Sequence, residues 1–217
     1  MMKTMKIFLL SALFFSILFP FSARAQDNAA QGVNSAFAEY NQALIQKNGP
    51  LAASYLSKAT LESYEKNRQL ALKGSKEEIK KELLANQVQI LLFRHRIPVN
   101  LLKSFSEKEI FAYTVNEGWT PKEALEIQSL HHIEIHDNTA TAQLFFKNQD
   151  LGAKLQFQKE AATWKVNLTS LDEFISNGLK YGKKFRPLAS DEKYLLEVVE
   201  KGSGKKIGKK LWDLPSV

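Results

Sequence analysis

The chain contains no cysteine. That excludes disulfides, thiol nucleophiles and cysteine metal sites, and it excludes lipid attachment through a cysteine at a signal cleavage site. An exported chain without disulfides must draw its stability from its core. Beyond residue 21 no stretch is long and apolar enough to cross a bilayer. Internal repeats, low-complexity segments and nucleic-acid motifs are also missing, so no nucleic-acid partner is expected. No cofactor is expected either.

What is present begins with an export pattern. Lys3 and Lys6 precede an apolar run from Ile7 to Phe21, and Ser22-Ala23-Arg24-Ala25 offers small residues at the two positions a signal peptidase reads. Basic, apolar and small-x-small in that order predict a signal peptide, residues 1–25, cut after Ala25. Pro20 interrupts the run, which is short for a membrane span. The expected location is the periplasm or the medium. Residues 26–32 are polar and are expected to be loose.

Charge is unevenly placed. The whole chain has 30 Lys and Arg against 23 Asp and Glu. From Lys180 onward there are 10 basic and 5 acidic residues, whereas residues 26–179 hold 17 and 18. The positive excess of the mature chain therefore sits in its tail, where it suits anionic lipid or an acidic partner.

Helical periodicity dominates the first half. Val33, Phe37, Tyr40 and Leu44 share one face of a helix over about 33–48, with Asn34 as its cap and Gly49-Pro50 as its stop. Short helices follow over 51–57 and 60–72. Ser75-Lys76-Glu77-Glu78 and Ser106-Glu107-Lys108-Glu109 are capping boxes. The first predicts one helix running through Leu92; the second predicts a helix ending at Gly118-Trp119. Residues 121–125 suit one helical turn.

The period changes at Ile127. Residues 129–136, 139–146, 151–160 and 163–169 alternate apolar and polar, as strands with one buried face do. Short links imply an antiparallel meander. Ile133, Ile135, Ala140, Ala142, Leu144, Phe146, Ala153, Leu155, Phe157, Trp164, Val166 and Leu168 are assigned to the inner face. His132, Glu134, His136, Lys154 and Gln156 are assigned to the outer one. A third capping box, Ser170-Leu171-Asp172-Glu173, and then Ser190-Asp191-Glu192 predict two final helices. The fold class is α+β: N-terminal helices on a curved antiparallel sheet over 33–170, with a basic helical extension over 171–217.

Helices followed by a meander ending in Ala162-Thr163-Trp164-Lys165-Val166-Asn167-Leu168 resemble the nuclear-transport-factor-two-like superfamily, which includes ketosteroid-isomerase-like and polyketide-cyclase-like proteins. His136-Asp137-Asn138-Thr139-Ala140-Thr141-Ala142 is similar to its turn into a long central strand. The tail, through Gly202-Ser203-Gly204 to Leu211-Trp212, is similar to the end of exported bacterial members. The resemblance covers roughly 33–170 and implies a cone-like domain, often with an apolar cavity. The helical region from Ser75 to Leu125 is larger than that family usually has, and fewer strands are visible. A shared fold does not imply a shared activity.

The resemblance also implies where catalysis would sit: a Tyr with a carboxylate, or a His with an Asp, inside the cone. The inner strand face carries no carboxylate. Tyr40, Tyr55, Phe111, Tyr113, Trp119, His131 and Trp164 are candidates to line an apolar pocket with polar tips; plain core is the competing reading. His132, Glu134 and His136 alternate along a strand about 7 Å apart, a wide spacing for metal ligands, and solvated side chains are the simpler reading. Lys183, Lys184, Arg186, Lys205, Lys206, Lys209 and Lys210, with Trp212 among them, are candidates for a partner or membrane surface. No catalytic residue and no metal site is assigned.

The sequence thus predicts an exported binding or accessory protein that is not an enzyme. It holds an apolar small molecule or a lipid, or docks to an envelope protein, with peripheral contact to anionic membrane and pairing of two copies through the sheet face. The alternative is a small cone-pocket enzyme of isomerase or cyclase type.

Overall fold

The computed structural model describes residues 20–127, 129–207 and 210–214. Most of the expected signal peptide, Lys209 and Pro215 lie outside the described residues. The fold is α+β, with helices first, then an open four-stranded antiparallel sheet, then two helices.

The first helix, α1 (Pro20–Ile45), begins well before the expected start. Residues 26–32, expected to be loose, are helical. Ala29 packs on the core, Val33 is fully buried, and Gly32 lies so close to Trp164 that a Cβ there would sit 2.9 Å from Cδ1. Asn34 does not cap; its Nδ2 donates to the Ala30 carbonyl one turn back. Then come α2 (Gly49–Ser54) and α3 (Lys58–Lys73), the latter capped by Ser57. Pro50 opens α2 rather than stopping α1, because a missing N–H costs nothing in a first turn.

Both capping boxes form as read. Ser75 starts α4 (Lys76–Ile79) and Ser106 starts α7 (Glu107–Asn116). The long helix expected from Ser75 to Leu92 instead breaks, giving α4 and then α5 (Leu84–Arg96). The break is held by Gln87, whose side-chain amide donates to the Lys80 and Glu82 carbonyls that the interruption leaves free. Short helices α6 (Val99–Ser104) and α8 (Lys122–Leu125) flank α7.

The sheet follows the alternation closely: β1 (Leu130–His136), β2 (Thr139–Phe146), β3 (Gln149–Glu160) and β4 (Thr163–Asn167), in the order β1-β2-β3-β4. Ala140, Ala142, Leu144, Ala153, Leu155, Phe157, Trp164 and Val166 are buried in a core under α1, to which Ala52 and Ala53 of α2 also belong. One edge is covered. Leu56 bridges Val166 in parallel, with the Ser57 amide donating to the Val166 carbonyl at 2.9 Å and the Val166 amide to the Tyr55 carbonyl at 2.7 Å. That pairing removes an open strand edge.

Past β4, a 3₁₀ turn (Leu168–Leu171) leads into α9 (Asp172–Lys184). The third capping box does not form. Ser170 is spent on the strand, donating to the Asn167 carbonyl and accepting from the Gln156 amide. Helix α10 (Asp191–Ser203) starts on Ser190 and ends on Gly204, whose φ of 64° supplies a left-handed cap.

Two cores result. One joins α1, α2 and the inner sheet face. The other gathers Ile79, Ile90, Leu91, Phe93, Leu102 and Ile110 with Leu195 and Val199 of α10 and Trp212. Helices α9 and α10 both pack on α5, so the C-terminal segment is built into the helical region.

Candidate functional site: a pocket among the helices

A cavity of about 380 Å³ lies where the two cores meet. Its walls come from α1, α3, α5, α7 and α9 and from the loop after α7. The strands themselves contribute no wall residue; only Leu168, Thr169 and Leu171 beyond β4 reach it. The pocket is therefore a feature of the helical layer, not of a concave sheet face.

Three of the seven residues proposed from sequence line it: Tyr40, Phe111 and Trp119. The other four are placed elsewhere. Trp164 is core against α1, and Tyr55 packs on the same core at its edge. Tyr113 is wedged between Phe105 and Trp119 in the second core. His131 is exposed, its ring 4.2 Å from Phe145 and its Nε2 3.2 Å from the Ser129 hydroxyl. The cause is a bulge between His131 and Glu134, with His132 at a φ of 48°. Leu130 takes the inner position, and the extra residue turns Ile133 back inward.

The outer-face residues His132, Glu134 and His136 are exposed, and no group of three or more metal-ligating side chains converges among the described residues. Among the tail candidates, Trp212 is buried in the second core and so is no surface contact. Lys183 pairs with Asp191 at 3.4 Å. Lys184, Arg186, Lys205, Lys206 and Lys210 are exposed.

The pocket also holds residues that the sequence reading passed over. Tyr64 packs edge-on to Phe111 with ring centroids 5.2 Å apart and meets Phe93 at 6.0 Å. Burial pushes the Tyr40 hydroxyl far above its ordinary range. Burial does the same to Tyr64; the nearby Asp172 charge adds to the rise, and polar contacts with Gln89 and Thr114 oppose it. Asn86 donates to the Asp172 carboxylate at 3.4 Å and accepts from the buried Asn67 amide at 3.0 Å; the same amide donates to Gln89. Burial raises the Asp172 carboxyl above its ordinary value, and the Asn86 hydrogen bond only partly offsets this. Two buried polar atoms find no partner among the described residues nearby: Asn67 Oδ1 and the indole nitrogen of Trp119, whose ring Arg96 covers at 4.6 Å.

The sequence did carry one signal for these groups. Asn67 and Gln89 are amides in helix interiors, and Asn in particular is poorly suited to that position unless its side chain has specific work. Asp172 was read only as part of a helix start.

The arrangement is mostly apolar wall with one polar corner built from Asp172, Asn86, Gln89 and Tyr64. Such a corner orients a guest, and a half-buried carboxyl disfavours an anionic one. No family model matches this chain, and neither does any curated protein or solved structure.

Proposed function

We propose that this is an exported small-molecule-binding protein of the kind implied by its resemblance to the nuclear-transport-factor-two-like superfamily. It holds a compact, mainly apolar molecule that is neutral or cationic and bears a hydroxyl, carbonyl or amine. The observation that carries the reading is the cavity itself: aromatic and aliphatic walls around one corner of convergent amides, a phenol and a carboxyl. Its volume falls in the range of pockets that enclose small ligands.

Filling the cavity tests this. Val88 lines it, and Val88→Trp places an indole in the empty space. The wild-type protein, purified from its own cells, carries a co-purifying small molecule in native mass spectrometry and brightens N-phenyl-1-naphthylamine. The Trp variant does neither at unchanged helicity. A wild-type protein that arrives empty and leaves the dye dark defeats the proposal.

One observation favours a second reading. Asp172 and Tyr64 share the cavity, close enough that the carboxylate charge reaches the phenol, and so place a carboxyl near a hydroxyl as the inner strand face does not. Proton transfer on a bound carbonyl compound, of isomerase or cyclase type, would then run through Asp172. Steady consumption of a bound molecule that stops in Asp172→Asn supports this reading; release of the molecule unchanged from the wild type rejects it.

Asp172 also makes stability depend on pH. Its carboxyl binds a proton more readily in the fold than in the unfolded chain. Its contribution to stability is thus greatest below the ordinary carboxylate pKa and declines as pH rises through the raised value. Asp172→Asn abolishes the decline. Melting temperatures of wild type and variant should nearly coincide at about pH 3 and diverge toward about pH 7, with the variant higher.

A further inference from the structure

We infer that the outward face of α9 is a docking surface for an anionic lipid bilayer. This helix carries apolar side chains away from the core as well as toward it. Ser176 on its inner side is buried, its hydroxyl accepting from the Ala85 amide at 3.0 Å. Opposite lie Phe174, Tyr181 and Phe185, which are 44%, 62% and 67% exposed. Positions 174, 178, 181 and 185 fall within about 60° of one another around a helix, with Gly178 leaving the middle of the stripe flat. Leu188, beyond the helix end, is 100% exposed. Nine large apolar side chains stand strongly exposed among the described residues, and five of them fall within residues 174–188. Scattered exposure needs no explanation, whereas a contiguous aromatic stripe does.

Charge selects the occupant. From Phe174 to Ser190 there is no acidic residue, and there are four basic ones: Lys180, Lys183, Lys184 and Arg186. Lys184 lies 5.9 Å over the Tyr181 ring. The nearest acids of the following helix are engaged, Asp191 with Lys183 and Glu192 with Lys76 and Lys80. Glu173 remains at the far end. Aromatic side chains rimmed by lysine and arginine match the boundary between acyl chains and anionic head groups. A neutral bilayer lacks the charge, and a protein groove would have to accept a stripe rimmed by cations. The same helix places Asp172 and Ile175 on the pocket wall, so one element serves both the stripe and the cavity.

The absence of cysteine makes the test direct. Gly178→Cys has open space around its side chain and takes an environment-sensitive dye; Lys154→Cys, on the exposed sheet face, serves as control. With the full chain and vesicles of phosphatidylglycerol and phosphatidylcholine, the dye at position 178 shifts to the blue and the dye at 154 does not. Pure phosphatidylcholine gives no shift at either site. The triple change Lys180→Glu, Lys184→Glu, Arg186→Glu weakens the response at least about tenfold, since each basic residue near an anionic surface contributes measurably. No shift at 178, or equal shifts at both sites, overturns the inference. So does a shift at 178 that grows with protein concentration in the absence of vesicles, which would assign the stripe to a second copy of the chain.

Discussion

Arg94→Ala should destabilise this protein by about 3 kcal/mol and free its C-terminal segment. The guanidinium sits at the end of α3, where the Gly74 amide reaches back to the Leu70 carbonyl and the following carbonyls have no helical partner. It donates to the Leu70, Ala71 and Gly74 carbonyls there, and also to those of Leu211, Trp212 and Asp213. One cation thus ties the last turn of a central helix to the closing turn of the chain, which seats Trp212 in the second core. Alanine leaves half-buried carbonyls without donors, each costing about 1–3 kcal/mol where water cannot reach. Arg94→Lys should fall between, because a point ammonium cannot span both sets as the planar fork does. Chemical denaturation reads the loss of stability, and limited proteolysis after Lys205 or Lys206 reads the release. Unchanged protection of those bonds in Arg94→Ala would show that Trp212 holds the tail by itself.

Gly49→Ala should also cost about 3 kcal/mol, against the sign that helix propensity gives. Within a helix, alanine is favoured over glycine by about 1 kcal/mol. Gly49 opens α2, though, directly over α7. An added Cβ would lie 2.6 Å from both Cα and the carbonyl carbon of Ala112, which are backbone atoms that cannot swing aside. The two helices would have to part. That would strain the hydrogen bond from the Gly49 amide to the Asn116 side chain, 2.8 Å long, and disturb Phe111 and Val115 on the pocket wall. Urea unfolding measures the cost, and dye binding in the pocket should fall with it. A variant as stable as wild type would mean that α2 and α7 can separate freely.

The strands were largely legible because a sheet with one wet face writes its geometry into the chain at period two. Leu155 and Phe157 on β3 and Trp164 and Val166 on β4 are buried where the alternation puts them. Local chemistry carried two of the three capping boxes for the same reason: Ser75 with Glu78, and Ser106 with Glu109, need only neighbours three residues away. Ser170 failed because β3 competed for its hydroxyl. His131 was misplaced by one residue of bulge, since an inserted position reverses the faces on one side of it, here those of Leu130 and His131.

The pocket followed other rules. Tyr64, Asn86, Gln89 and Asp172 lie on three helices, and nothing in their local spacing brings them together. They meet because α9 packs against α5, and that packing also turns the aromatic stripe of α9 outward. The sequence alone determined the α+β class, the meander and most of its inner face, with His131 and Phe146 the exceptions beside the strand irregularities, because periodicity and capping act over a few residues. Tertiary structure decided where the cavity lies, that Trp212 is core, and that Phe174, Tyr181 and Phe185 face outward. Those outcomes depend on which distant surfaces exclude water from each other, and single-helix periodicity cannot tell a face buried by a neighbour from one left open.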